Sequence, residues 1–388
     1  MNPSLKLPEP PTDLASLSAQ LSMRIVDAIQ RHGPLPFDRY MHMALYEPGL
    51  GYYVNGLHKF GQDGDFVTAP EQGPLFAGAL ARCLTPIAEV IGSNWTLMEV
   101  GPGSGALMRD LLLQLQHPPA KVLLLESSAA LREVQAETLS SLPARLQQGV
   151  EWIAAPPSER FEGVIVANEV LDALPVKRFE IIEGGLLELA VDWDGARLGW
   201  ACMSADHRLR EAAEYLQNQL SEPLPPGFRS ELCVDLAGWL QTITASLDKG
   251  VALCIDYGYP RAEFYRPERN DGTLVAHYRH RAHFDPFVWP GLNDLSAFVD
   301  FTAVAEAALE AHLDVSGFTS QAGFVLGSGI GELLAQTEDP AEQAKRAGEF
   351  KKLVLPGEMG EKFKLMALSR QMTNSFVAFE FSDQRHRL

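Results

Sequence analysis

The chain has 388 residues, 46% hydrophobic and 21% charged, a globular composition that excludes disordered and fibrous architectures. At about 150 residues per domain it allows two or three domains, or one large α/β domain with insertions. Its 32 Lys and Arg against 50 Asp and Glu leave a net charge of −18, which disfavours nucleic acid and anionic membranes and suits a cationic partner.

The first stretch, Met1–Ala19, is rich in Pro and Ser and has neither an apolar core nor an Arg-rich amphipathic pattern, so no signal or transit peptide is expected. Residues 1–20 read as a flexible tail. A helix is predicted from Leu21 to Gln30, where Leu21, Ile25, Ala28 and Ile29 share a face and Gly33-Pro34 stops it. Two glycine- and aromatic-rich stretches follow, Tyr46–Tyr53 and Phe60–Pro70, and loops of this length in a globular chain usually have a function. With a helix over Pro74–Ile91, residues 21–92 form an N-terminal helical and lid region.

From Trp95 the pattern becomes strand, loop and helix in alternation. Strands are predicted at Thr96–Val100, Lys121–Glu126, Phe161–Asn168 and Val251–Asp256, with helices over 106–115 and 129–141. Near-continuous apolar strands alternating with helices predict an α/β fold with a mostly parallel, doubly wound sheet over residues 93–388. Between 178 and 203 the period drops to two. Gly184-Gly185 and Asp194-Gly195 then mark hairpin turns of an antiparallel meander inserted over about 178–235. Phe363–Leu368 and Phe376–Phe381 predict a closing antiparallel pair, and Gly327–Gly331 reads as the start of an ordinary helix.

Four cysteines without a CxxC pair argue against a zinc ribbon or disulfide framework and for reduced thiols. No apolar run reaches the roughly 18 residues of a membrane span, so membrane insertion is not expected and the expected location is the cytoplasm.

The strongest chemical motif is Glu99-Val-Gly101-Pro-Gly103-Ser-Gly105-Ala106, which runs from a strand into a helix. Glycines let the backbone turn tightly and approach a ligand, and the helix start presents N–H groups to it. Read as G-x-G-x-x-A, it fits a dinucleotide, with Glu126 about twenty residues on for ribose hydroxyls. Read as E-x-G-x-G-x-G, it resembles the first motif of class I S-adenosylmethionine methyltransferases. Glu99 separates the two, because dinucleotide folds usually place an apolar residue there.

Asn168-Glu169-Val-Leu-Asp172 follows a strand and should sit at the carboxyl edge of the sheet, where open α/β folds bind ligands. In a first helical turn Glu169 and Asp172 would share a face; helix-start charge is the plainer alternative. Asp256 and Tyr257 end another strand. His277, His280 and His283 are spaced three apart, but Arg279 and Arg281 between them argue against a metal.

These blocks together resemble the MidA family of S-adenosylmethionine-dependent methyltransferases, which includes a mitochondrial assembly factor for NADH:ubiquinone oxidoreductase that methylates an arginine of a partner subunit. The carriers are Tyr46–Tyr53, Phe60–Phe66, Glu99–Gly105, Asn168-Glu169 with Asp172–Pro175, Ile255–Gly258, Asp271–Thr273, Val299–Phe301 and Glu358–Gly360, in one order over most of the chain. Ala69-Pro70-Glu71 departs from the family's usual Ser-Pro-Glu, and Gln62 from its frequent basic residue.

The resemblance implies a class I, Rossmann-like fold and S-adenosylmethionine as cofactor. It would be held by Glu99, Gly101, Gly103, Gly105, Glu126, Ser127, Asn168 and Glu169 under a lid of Phe60, Gly61, Gly64, Asp65, Phe66 and Thr68. It further implies a protein substrate with an accessible arginine, such as a respiratory-complex subunit, with Glu169, Asp172 and Asp256 as catalytic carboxylates; a homodimer is compatible with it. Other classes are a methyltransferase for small molecules or other side chains, a binding-only assembly factor, and an NAD-dependent oxidoreductase.

Overall fold

Among the described residues eight strands build the sheet to which the glycine loop belongs; the short strand Val299–Asp300 pairs beside Gly258-Tyr259, and the other seven form the main path. They are β1 (Thr96–Val100), β2 (Lys121–Leu125), β3 (Val150–Ile153), β4 (Phe161–Asn168), β5 (Leu247–Tyr259), β6 (Asp314–Ser320) and β7 (Phe363–Arg370), in the spatial order β3-β2-β1-β4-β5-β7-β6. The first five run parallel, and β7 lies antiparallel to both β5 and β6. All five residues of β1 are buried, as are most of β4, β5 and β7, which explains why these strands read as continuous apolar runs. The chain winds outward from β1 to β3 and then restarts beside β1 with β4. The carboxyl ends of β1 and β4 therefore flank a topological switch point, the usual place for a ligand in such a sheet.

The computed structural model describes residues 7–56, 72–332, 339–372 and 376–388. They fall into two units whose segments alternate along the chain. Val67–Leu171, Ala237–Pro260 and Val299–Leu388 carry the sheet, and Met1–Phe66, Asp172–Leu236 and Arg261–Phe298 form the other unit. In the sheet unit, the helices Leu75–Ile91 and Ala106–Gln114 bring Phe76, Leu80, Leu84, Leu107 and Leu111 into one core with Trp95, Val164, Leu253 and Leu365. Each such side chain, fully buried, contributes about 1.5–3 kcal/mol.

The other unit contains an antiparallel sheet of Leu35–Pro36, Lys177–Ile182, Gly185–Trp193, Leu198–Ser204 and Arg229–Leu232. Among the described residues, Leu198–Ser204 pairs only with Gly185–Trp193 and is an edge. A smaller sheet joins Val275–Tyr278 to Arg281–His283 and Asp294–Ser296. The helices Thr12–His32 and Phe37–Tyr46 supply Leu21, Ile25, Phe37 and Tyr40 to a core that includes Val191, Leu198 and Leu295.

The α/β class and mixed sheet agree with the expectation, but four local readings differ. The first helix starts at Thr12, after Pro11, so the expected tail is already helical there. Phe376–Phe381 is not a strand: Val377–Glu380 is one helical turn, and β7 pairs instead with β5 and β6. Gly327–Gly331 both ends a helix and starts one: Gln321–Gly327 stops at Gly327, Gly329 takes φ +70°, and a 3-10 turn begins at Ile330. Finally, the chain alternates between its units, where the sequence suggested a sequential lid region and core with one insertion.

Candidate active site

In the sheet unit the site is built on the carboxyl ends of β1, β2 and β4. Glu99, next to last in β1, is 3% exposed, and burial pushes its carboxyl up to about 8; its Oε2 has no hydrogen-bond partner. The loop beyond follows the path that glycine allows. Gly101, Gly103 and Gly105 all take positive φ (60°, 55° and 81°), Gly101 N–H donates to Leu125 O at 3.1 Å, and Gly105 opens the helix Ala106–Gln114. A Cβ on Gly105 would meet Gln135 Cα at 3.3 Å, so this glycine also serves close packing.

At the end of β2, Glu126 Oε1 accepts from Ser128 N–H at 2.7 Å and Oε2 from Gln135 Nε2 at 3.2 Å. Burial raises its pKa, while the hydrogen bonds from Ser128, Gln135 and Ser127 oppose the rise. Gln135 Nε2 also donates to Gly103 O at 3.0 Å, and Gln135 Oε1 accepts from Trp152 Nε1 at 2.9 Å. One fully buried amide thus ties the glycine loop to β2's carboxylate and to β3. Sequence reasoning missed Gln135 and Trp152. A Gln within a helix normally faces solvent, and only its place between Leu131 and Leu139 at four-residue spacing signals a buried face.

At the end of β4, Asn168 Nδ2 donates to Glu169 Oε1 at 3.3 Å, while Asn168 Oδ1 is buried without a partner. Glu169 N–H donates to Ile255 O at 2.8 Å, and Glu169 takes φ +54°, a left-handed conformation that a glutamate rarely adopts. No helix follows: residues 169–174 are turn and bend. The cause is Asp256, fully buried on β5, whose Oδ2 accepts from Val170 N–H (3.2 Å) and Leu171 N–H (2.9 Å), and whose Oδ1 accepts from Tyr257 N–H (2.9 Å). Through these three backbone contacts Asp256 braces the segment that follows β4.

Glu169 and Asp172, expected to share one helical face, belong to different units. Asp172 is buried, and its carbonyl accepts from Ala297 N–H at 3.0 Å. Near it, Tyr53 donates to Asp294 Oδ1 at 2.8 Å, and Tyr46, stacked on Tyr53 at 5.6 Å, donates to Ala173 O at 3.0 Å. Burial first, then Asp294, Tyr46 and Asp172, pushes the Tyr53 hydroxyl well above its usual range. The sequence marks Tyr46–Tyr53 as a functional loop, whereas nothing in the pattern around Asp294 marks that residue.

His277 and His283 lie on the two strands of a hairpin whose turn, Arg279-His280, has positive φ at both residues. His283 Nε2 meets Asn293 Oδ1 at 2.9 Å, and burial with His283 nearby lowers the His277 pKa. Phe60, Gly61, Gly64, Asp65, Phe66 and Thr68 lie outside the described residues.

Two orphaned buried acceptors, Glu99 Oε2 and Asn168 Oδ1, stand at neighbouring strand ends beside a left-handed glycine loop. That donor-seeking set fits a ligand with an amino acid end and a ribose, the latter for Glu126. Residues 79–319, more than half of the chain, match the family described as putative S-adenosyl-L-methionine-dependent methyltransferases. The chain belongs to this family.

Relatives of this methyltransferase agree. It is 30% identical to the Drosophila melanogaster homolog of the mitochondrial protein arginine methyltransferase NDUFAF7, over 95% of this chain and 89% of that one. The zebrafish (Danio rerio) protein of that name is 28% identical, over 91% and 88% respectively. A superfamily member and likely methyl transferase from Burkholderia thailandensis, crystallised with S-adenosyl-homocysteine, superposes with a TM-score of 0.92 at 40% identity, covering 99% of this chain and all of that one. The resemblance to the MidA family, the methyltransferase fold and the cofactor class therefore hold.

Proposed function

We propose that this methyltransferase acts on an arginine side chain of a partner protein. The observation that carries the reading is Glu169, kept at φ +54° at the end of β4 by a segment whose amides Asp256 fixes. Strained backbone at the ligand edge of a sheet is a cue to function. Its relatives, protein arginine methyltransferases that align with about nine-tenths of this chain, support the choice of acceptor.

When bound, S-adenosylmethionine supplies an electrophilic methyl group on a sulfonium centre; Glu99, Gly101, Gly103, Gly105, Glu126, Ser127 and Asn168 would hold it. The remaining work falls to the protein. A guanidinium is always protonated in water and presents a planar fork of donors, which a carboxylate takes bidentately. Glu169 can orient such a fork, and its charge favours loss of the guanidinium proton as the new C–N bond forms. The family resemblance adds Asp172 as a further candidate carboxylate, tested separately below. We propose the cytoplasm as its location and, from the family resemblance, a respiratory-complex subunit as the partner class; the same resemblance leaves room for a homodimer.

The test is transfer of labelled methyl groups to a lysate, followed by mass spectrometry of the labelled band. Glu169→Gln and Asp172→Asn should bind S-adenosylhomocysteine as the parent does and transfer methyl groups about 100-fold more slowly, the usual effect of losing one preorganised electrostatic contact. Parental rates in both variants, or label on a side chain other than arginine, would defeat the proposal.

A further inference from the structure

We infer that the edge strand Leu198–Ser204 and the cavity beside it form a docking surface for an extended, arginine-bearing segment of a partner protein. The inference rests on the protein-substrate reading above for the class of partner, and on the geometry of one unit for the place.

In the hairpin of Gly185–Trp193 and Leu198–Ser204, Asp192 stands directly opposite Gly199. Opposed residues of an antiparallel pair present their side chains on the same face, so Asp192 faces a position with no side chain. Gly199 is not required by its backbone, which has no positive φ, and a Cβ built there would meet nothing within 4 Å. Around this gap lies a cavity of about 530 Å³, with Trp200, Phe284 and Phe287 in its walls.

The walls are aromatic and exposed. Trp200 is fixed by Phe37 at 4.9 Å, Phe287 at 5.0 Å and the Arg178 guanidinium at 4.9 Å, yet 40% of it remains accessible, and Phe284 is 81% exposed. Several large aromatic side chains left accessible around one cavity are a feature of binding sites.

The charge names the occupant. Asp194 lies 3.6 Å from Arg197, whereas Asp192 and Asp285 form no ion pair among the described residues. Each gives one oxygen to a neighbouring backbone N–H, Trp193 at 2.8 Å and Phe287 at 3.0 Å. A cavity lined by carboxylates and by exposed aromatic rings suits arginine side chains, whose guanidinium can pair with an acid or stack on a ring. The strand adds the third component. Its outer row of backbone groups has no partner strand among the described residues, and an extended peptide can extend the sheet there, with alternate side chains reaching the cavity. A second copy of this chain, at net charge −18, is a poor match for an acidic surface.

The test uses the full chain and a fluorescein-labelled peptide, Thr-Arg-Val-Arg-Thr-Arg, followed by anisotropy at low salt, with the Glu-for-Arg peptide as control. The parent should bind the basic peptide and not the acidic one. Gly199→Leu, which fills the gap, and the pair Asp192→Asn with Asp285→Asn should each weaken binding at least tenfold while S-adenosylhomocysteine binds unchanged by calorimetry. Equal binding by parent and variants, or by both peptides, overturns the inference. So does a parent that sediments as a dimer and becomes monomeric on Gly199→Leu, since the occupant would then be a second copy. Lysate labelling separates the two proposals. Label on a non-arginine side chain, with the peptide still mapping to Gly199, removes the arginine reading and leaves the docking surface. Arginine labelling with unchanged KM in Gly199→Leu removes the docking surface alone.

Discussion

Glu99→Gln in the cofactor-free protein should change how stability depends on pH. Below about pH 4.5 Glu99 carries its proton in both folded and unfolded chains. As pH rises towards 8 the unfolded chain releases that proton, whereas burial makes the folded protein keep it. The folded state therefore loses stability progressively through this window, and the loss is complete above pH 8. A rise from 4.5 to about 8, at 1.36 kcal/mol per pH unit, sets a ceiling of about 5 kcal/mol. Water reaching the carboxylate would reduce it to about 2–3 kcal/mol, as effective dielectric constants near 20 imply.

Gln has no proton to release, so the stability difference between Glu99→Gln and parent should climb by that amount from pH 5 to 8.5, whatever constant offset the amide introduces. Urea unfolding of both proteins at four pH values gives the difference curve. A flat curve, or one falling with pH, would refute the reasoning. Saturating S-adenosylhomocysteine should stabilise the parent more than the variant, because the same carboxylate is assigned to the cofactor.

Gln135→Ala leaves Trp152 Nε1, Gly103 O and Glu126 Oε2 each short of a partner; thermal unfolding should show a loss of about 2–3 kcal/mol and calorimetry an S-adenosylhomocysteine affinity about tenfold weaker. Asp256→Asn turns an amide N–H towards the N–H groups of Val170, Leu171 or Tyr257, with a loss of about 2 kcal/mol. Because the Asp256 contacts shape the Glu169 segment, steady-state kinetics of the variant should show kcat falling well before KM for S-adenosylmethionine moves.

What the sequence made legible is what local physics decides. Thr96–Val100 and Phe161–Asn168 were readable because strands buried on both faces need unbroken apolar runs, and Gly101–Gly105 because only glycine takes that path without strain. Decisions made by distant residues were not readable. Residues 169–174 carry charges at helical spacing, but a carboxylate 85 positions away binds the Leu171 amide and holds the segment as a turn. Gln135 gains its role from the register of its helix against the glycine loop, which no spacing rule encodes. The alternation between units at 171/172, 236/237, 260/261 and 298/299 coincides with no shift in composition.

The position of β7 bears on how the chain is made. Phe363–Arg370 slots between β5 and β6, so until the ribosome has released it, the thirteen-residue strand β5 lacks its antiparallel neighbour over most of its length. At roughly 5–20 residues per second, that apolar margin stays open while more than a hundred further residues emerge. Nascent chains cut short before Phe363 should therefore clump through strand pairing rather than persist as partly active fragments, and a strong translational pause just upstream of that codon would be harmful even with every amino acid unchanged.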